Sequence, residues 1–233
     1  MLVRRLLLYF RHVSGKLNRR QAALLLAASA GLAVAGADLD RILALATQRY
    51  GPAGTESVQA WRRLLLDLGS QGEVAKIRRV NEFFNRRIQF GDDERIWGVS
   101  DYWATPLEVL GRGEGDCEDF AVAKYATLKL LGISIDKLRL TYVKARIGGA
   151  QGSTTQAHMV LTYYPTAQDE PLVLDNLVSD VRPASGRADL SPVFSFNAEG
   201  LWVGGTGSRQ AHSTERLSRW RTLLARMHAE GIE

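Results

Sequence analysis

Cys117 is the only cysteine in the chain, and it stands within Gly113-Glu114-Gly115-Asp116-Cys117-Glu118-Asp119-Phe120. Glycines lead up to it, carboxylates flank it on both sides, and the apolar spacing that follows predicts a helix whose first turn carries the thiol. Free backbone N–H groups and the positive end of the helix dipole stabilise a thiolate at such a position. The same N–H groups can receive the oxyanion of a tetrahedral intermediate. His158 follows 41 residues later inside an apolar run, and Asp175 lies in a second one. A thiol, a strand imidazole and a strand carboxylate in that order suggest a cysteine nucleophile with its general base and its orienting acid.

The other histidines fit the role poorly. His12 lies in the basic N-terminal segment, and His212 and His228 lie in the polar C-terminal region. The runs around His158 and Asp175 can pair as a hairpin with Pro165-Thr166-Ala167-Gln168 as its loop. That register sets Tyr164 against Asp169 and His158 against Asp175, whose Cβ atoms would then be about 4.5–5.5 Å apart. Each residue also has a bland reading, as an inert buried cysteine and as a structural strand histidine. The coincidence of the three favours catalysis.

Glu114, Asp116, Glu118 and Asp119 crowd the thiol. Uncompensated, they raise its pKa above the free value of about 8.5. A divalent cation would reverse that field, and calcium suits flexible oxygen cages. The competing account is that Asp116 caps the helix and the acids favour its positive end. That account covers one or two of these carboxylates more easily than four. Trp97, Tyr102 and Trp103 are candidate walls of a substrate groove, although tryptophans are more often core anchors.

The elements that must position these groups run helices first, then strands. Residues 39–50, 56–68 and 73–88 each place apolar residues three and four apart. Residues 90–106 read as irregular. The helix from Cys117 runs to about Leu131, with Phe120, Ala121, Leu128 and Leu131 on its inner side and Gly132 as its stop. Residues 138–144, 157–164 and 172–178 read as strands, and Phe194 and Phe196 as the opening of another. Residues 213–230 are amphipathic but heavily charged, which predicts a surface helix or a frayed tail.

The N-terminus speaks to compartment. Arg4, Arg5, Arg11, Lys16, Arg19 and Arg20 precede an apolar stretch from Ala22 to Ala35, and Ala33-Val34-Ala35 and Ala35-Gly36-Ala37 are small-x-small sites. This order predicts a secretory signal over residues 1–37, or a retained anchor, followed by one domain over 38–233 with a charged helical tail from about 213. Six of the 30 basic residues and none of the 25 acidic ones precede Gly36. The exported chain therefore carries 24 bases against 25 acids, and no field favours nucleic acid. An exported chain with one cysteine has no internal disulfide, and a free thiol in an oxidising compartment calls for a functional reason.

The segments Asp101-Tyr102-Trp103-Ala104-Thr105-Pro106, Gly115-Asp116-Cys117-Glu118-Asp119-Phe120-Ala121, Lys137 to Lys144, Ala157-His158-Met159-Val160-Leu161 and Val173-Leu174-Asp175-Asn176-Leu177 resemble the bacterial transglutaminase-like cysteine peptidases of the LapG type. The resemblance spans roughly residues 73–202. It implies an α+β, papain-like or transglutaminase-like core, with the nucleophile at a helix N-terminus packed on an antiparallel sheet. It implies Cys117 as nucleophile, His158 as general base and acid, Asp175 as orienter, and hydrolysis rather than amide crosslinking. Calcium dependence is implied too, with Asp116, Glu118 and Asp119 as ligands. So are a periplasmic location, a large surface adhesin cut near its N-terminus after a pair of alanines with dispersal of biofilm, and sequestration by an inner-membrane cyclic di-GMP receptor. The oxyanion donors expected are the Cys117 N–H and one from the Trp103 region. Two other readings stand beside this one. A transglutaminase would use the same triad, and a calcium-dependent binding module would need the acids but neither Cys117 nor His158.

Overall fold

A long helix, α1 (Leu39–Leu68), begins at Asp38, whose side chain accepts a hydrogen bond from the Arg41 N–H. It bends at Gly51, where φ is +64° and Pro52 follows, so a new helical segment starts at once rather than after the gap expected before residue 56. Helix α2 (Glu73–Arg87) presents Ile77, Val80 and Phe84 to the core, and its Ile88 cap turns extended into β1 (Gln89–Phe90). The segment expected to be irregular contains a short helix, α3 (Asp93–Trp97), capped by Asp92. Helix α4 (Pro106–Arg112) starts from a reciprocal capping box between Thr105 and Glu108 and stops at Gly113, which has φ of +72°. Strand β2 (Glu114–Gly115) pairs in parallel with β1 and leads straight into α5 (Cys117–Leu130). The computed structural model describes residues 36–149, 152–203, 209–210 and 214–233, and the expected signal segment falls almost wholly outside them.

The second half is an antiparallel sheet. Its strands are β3 (Leu138–Gly149), β4 (Gly152–Tyr163), β5 (Leu172–Leu174), β6 (Arg182–Pro183), β7 (Leu190–Phe196), β8 (Leu201–Val203) and β9 (Arg209–Gln210). They lie in the order β6-β5-β4-β3-β7-β8-β9. Helix α5 is buried along most of its length and sits in the centre of the core, with Phe120, Ala121, Val122, Tyr125 and Leu128 enclosed together with the polar Lys124 and Thr127. Leu138, Leu140, Met159, Leu161 and Tyr163 belong to the same cluster from the sheet side. Trp61 of α1 donates its indole N–H to Thr127 Oγ1 of α5 at 2.9 Å, so the one polar atom of the largest core side chain is satisfied.

Two expectations are corrected. The β4–β5 pairing is Leu161 with Leu174, Thr162 with Val173 and Tyr163 with Leu172, two residues away from the Tyr164–Asp169 register. The Tyr164 N–H donates to Lys137 O instead of continuing the hairpin, and the connection lengthens to residues 164–171. A shift of two conserves which face each side chain occupies, whereas a shift of one would not.

The second correction concerns the C-terminal helix, α6 (Thr214–Glu230), which is neither frayed nor superficial. Trp220, Leu223 and Met227 are buried, and Trp220 meets both Tyr125 and Phe196 edge-on. Two of its charged residues turn inward as well. Arg226 donates to Tyr102 Oη, Glu108 and Trp103 O, and Glu230 pairs with Arg49. Beyond α6, Ile232 forms a bridge with Ala37, and the Glu233 N–H donates to Gly36 O. Among the described residues no helix is long and apolar enough to cross a membrane.

Helices α1 and α4 approach closely through glycine. A Cβ on Gly54 would stand 2.4 Å from Tyr50 Cβ and 3.3 Å from the backbone of Gly111. Gly→Ala in a helix interior ordinarily stabilises by roughly 1 kcal/mol. Here the sign should reverse: Gly54→Ala is expected to destabilise by about 1–3 kcal/mol through overpacking, read as a lowered urea midpoint at unchanged m-value.

Candidate active site

Cys117 is the first helical residue of α5, half-buried. Asp116 caps that helix by accepting the N–H groups of Glu118 and Asp119 at 3.1 and 3.4 Å, and Asp119 returns the bond by accepting the Asp116 N–H at 3.3 Å. Strand β2 is held from below by Gln89 and Phe90, so the loop carrying the thiol is pinned on both sides.

His158 lies on β4 opposite Val143 of β3, 3% exposed. Its Nε2 is 2.8 Å from Asp175 Oδ1. Asp175 sits just past the last residue of β5 and is fully enclosed. Its Oδ1 also accepts the Leu177 N–H at 3.0 Å, and its Oδ2 accepts Arg187 Nη2 at 2.6 Å. Asn85 of α2 donates to its main-chain oxygen at 2.7 Å. Burial alone would push this carboxyl up, but the His158 hydrogen bond and charge, the Leu177 N–H and Arg187 outweigh it and hold it at about 2. Being depressed, Asp175 supports the fold above the ordinary value of 3.8, and that support is lost as pH falls through about 2. The structure thus brings His158 and Asp175 together as expected and adds Arg187. The imidazole nitrogen left over, Nδ1, is the one available for a thiol.

The Cys117 thiol donates to Glu118 Oε2 at 2.7 Å, not to His158. Burial and the Glu118 and Asp116 carboxylates raise its pKa, and only the Met159 backbone N–H acts the other way. Tyr142 Oη holds the other oxygen of Glu118 at 3.3 Å. As the structure stands, burial first and the acidic shell second disfavour the thiolate.

Those acids form a larger cluster than the sequence showed. Ligand oxygens of Asp93, Asp116 and Asp119 lie within 4.8 Å of one another, and Asp116, Cys117 and Glu118 make an overlapping group. Asp119 Oδ1 accepts the Ala104 N–H at 2.7 Å, and Asp93 Oδ2 accepts the Tyr102 N–H at 2.5 Å. Asp93 Oδ1 is buried with no partner. A Cβ on Gly115 would stand 2.9 Å from Asp119 Oδ2, so only glycine leaves room there. Burial and mutual repulsion push Asp116 and Asp119 well above the carboxylate range, and burial takes Asp93 to about 6. Helix capping accounts for Asp116 and part of Asp119. It leaves Asp93, from another helix, unexplained. An all-oxygen set with an orphaned oxygen fits a hard divalent cation, held by Asp93, Asp116 and Asp119 with Glu118 beside them.

The aromatic residues divide. Trp103 is 4% exposed, stacks on Phe196 and gives its indole N–H to Asp101, so it is a core anchor rather than a groove wall. Trp97 and Tyr102 are half-buried and pack against each other with ring centroids 4.7 Å apart and planes tilted by 35°, with the Tyr102 hydroxyl engaged by Glu108 and Arg226.

A nucleophile opening a buried helix, laid against an antiparallel sheet whose neighbouring strands bring up a histidine–aspartate pair, is the arrangement of the transglutaminase-like cysteine hydrolases. Residues 62–188 match the model of the bacterial transglutaminase-like cysteine proteinases, more than half of the chain, and the chain belongs to that family. It is a cysteine protease of transglutaminase-like fold. It is similar to calcium-bound LapG of Legionella pneumophila, with 42% identity over 81% of this chain and 98% of that one and a TM-score of 0.67. EGTA-treated LapG of the same organism gives 42% identity over 81% and 97%, with a TM-score of 0.69. No curated protein sequence matches.

Asp93 supplies a test of the cluster. Its raised value means that the metal-free fold loses stability as pH rises from the ordinary 3.8 through about 6. Asn at 93 can still accept the Tyr102 N–H. In chelator, Asp93→Asn should therefore melt above the wild type by a margin that grows between those two pH values and then levels off, measured by thermal denaturation.

Proposed function

We propose that this protein is a periplasmic, calcium-dependent cysteine endopeptidase in which Cys117 is the nucleophile, His158 the general base and acid, and Asp175 the orienting carboxylate. The observation that carries the assignment is the enclosed Nε2–Oδ1 bond between His158 and Asp175, which leaves Nδ1 as the working nitrogen. His158 removes the thiol proton and Cys117 sulfur attacks a backbone carbonyl, with the helix N-terminal N–H groups receiving the oxyanion. As the tetrahedral intermediate collapses, the C–N bond breaks and His158 gives its proton to the departing amine. Water activated by the same imidazole then hydrolyses the thioester, returning the thiol and releasing the acid.

The relatives named as calcium-bound and EGTA-treated support calcium as the cation for Asp93, Asp116 and Asp119, with Glu118 adjoining. Calcium bound there supplies positive charge that offsets the carboxylates and favours the thiolate. Glu118 then has a second role, since the thiol it now holds must be freed to face His158.

The substrate we infer is the N-terminal region of a large surface adhesin, cut after paired alanines, which frees the adhesin and disperses biofilm. The regulator is an inner-membrane cyclic di-GMP receptor that sequesters the protease. The basic, then apolar, then small-residue order of residues 1–37 supports export by a signal.

Intact-mass analysis of an adhesin N-terminal fragment bearing a di-alanine site tests the proposal. A single cut is expected with calcium, and loss of about 10²–10⁴-fold or more of the rate in Cys117→Ala and in the chelated protein. Cleavage that persists in Cys117→Ala would overturn the triad, and cleavage indifferent to chelator would overturn calcium alone.

A further inference from the structure

On the sheet face carrying Val143, Val160 and Val173 lies a cavity of about 470 Å³, within the size range of small-molecule sites. Its floor is that buried valine cluster. These valines interleave with the catalytic residues: Val143 is the cross-strand partner of His158, and Val160 and Val173 each stand two residues from a triad member.

Two arginines line the cavity, and both have an unspent donor. Arg187 is 3% exposed and rigidly held. Its Nε and Nη2 go to Asp189 at 3.0 and 2.7 Å, and Nη2 also reaches Asp175 at 2.6 Å, but Nη1 is buried without a partner. Arg139 is clamped between the rings of Tyr164 and Trp202, at 4.3 and 4.1 Å, and its Nε is likewise buried and unpaired. Among the described residues no carboxylate pairs with Arg139. An unmet buried N–H forfeits its bond to water with nothing in return, and two of them on one cavity call for an explanation. The cavity's own carboxylate, Asp169, belongs to the exposed connection between β4 and β5, and the Asp175 and Asp189 charges are already committed to Arg187.

We propose that this cavity is a regulatory site for a small amphipathic carboxylate, with an apolar body on the valine floor and its acid between Arg139 and Arg187. Arg187 makes the site an effector site. The same guanidinium holds Asp175, and Asp175 holds His158, so an acid drawing on Arg187 alters the grip on the catalytic carboxylate from the far side. Guanidinium donors reward a carboxylate over a neutral acceptor.

Calorimetric titration of the calcium-loaded full chain with octanoate, and with its neutral isostere octanamide, tests the proposal. Octanoate should bind saturably at one site, octanamide about tenfold or more weakly, and saturating octanoate should change the peptidase rate at least about twofold. Arg139→Gln should lose about tenfold in octanoate affinity. Ala167→Trp, a substitution on an exposed loop that fills the cavity mouth, should do the same and guards against a folding defect in the first variant. The proposal is overturned by no saturable binding up to the solubility of octanoate, by equal binding of acid and amide, or by affinity unmoved in both variants. Binding with an unchanged peptidase rate would overturn the regulatory role.

Discussion

Asp175 is a charge enclosed by protein, and the architecture around it follows from the cost of leaving such a charge unpaired. Three donors converge on its two oxygens, from β4, from its own turn and from the segment before β7. Helix α2 fixes its main chain through Asn85 and the following loop through Asn81, which donates to Ser179 O. The imidazole is thereby locked in orientation by groups that lie outside the helix carrying Cys117. The histidine–aspartate half of the site is a property of the sheet, and the thiol half is a property of α5.

The two halves are in different electrostatic conditions. The sheet side is compensated, with Asp175 stabilised in its charged form. The helix side is not: carboxylates from α3 and α5 are crowded where the dipole alone cannot satisfy them, and the sulfur shares their burden. Asp119 links this shell to the chain 101–105 through the Ala104 N–H, and Arg226 of α6 braces the same stretch through Trp103 O. Occupancy of the acidic cluster and docking of the C-terminal helix therefore bear on one segment.

What the sequence disclosed was local. The cap at Asp116, the helix after it and the apolar runs holding His158 and Asp175 depend on neighbours a few residues apart, and periodicity reads those directly. The register failed because it assumed a tight loop, while Tyr164 bonds to Lys137 in the 3-10 turn just before β3. Asp93 and Arg187 were missed for a related reason. Each sits in a polar stretch without pattern and acquires its role only through the fold, although an arginine twelve residues after a candidate buried aspartate was a visible hint. Residues 213–230 looked like a solvated tail because their charges were counted without partners, and Arg226 and Glu230 have theirs inside the molecule. Trp103 followed the commoner habit of its residue type and went to the core.

The bridge between Ala37 and Ile232, with Glu233 bonded to Gly36 and Asp38 to Gly231, brings the two ends of the described body to one spot. Force applied between those ends would act crosswise on a short ladder and open it one bond at a time, like a zip. The long strands β3 and β4 would be spared the shearing load that makes a sheet mechanically strong. Held by its first residue alone, the domain would hang from that seam without strain, and pulled from both ends it would yield there first.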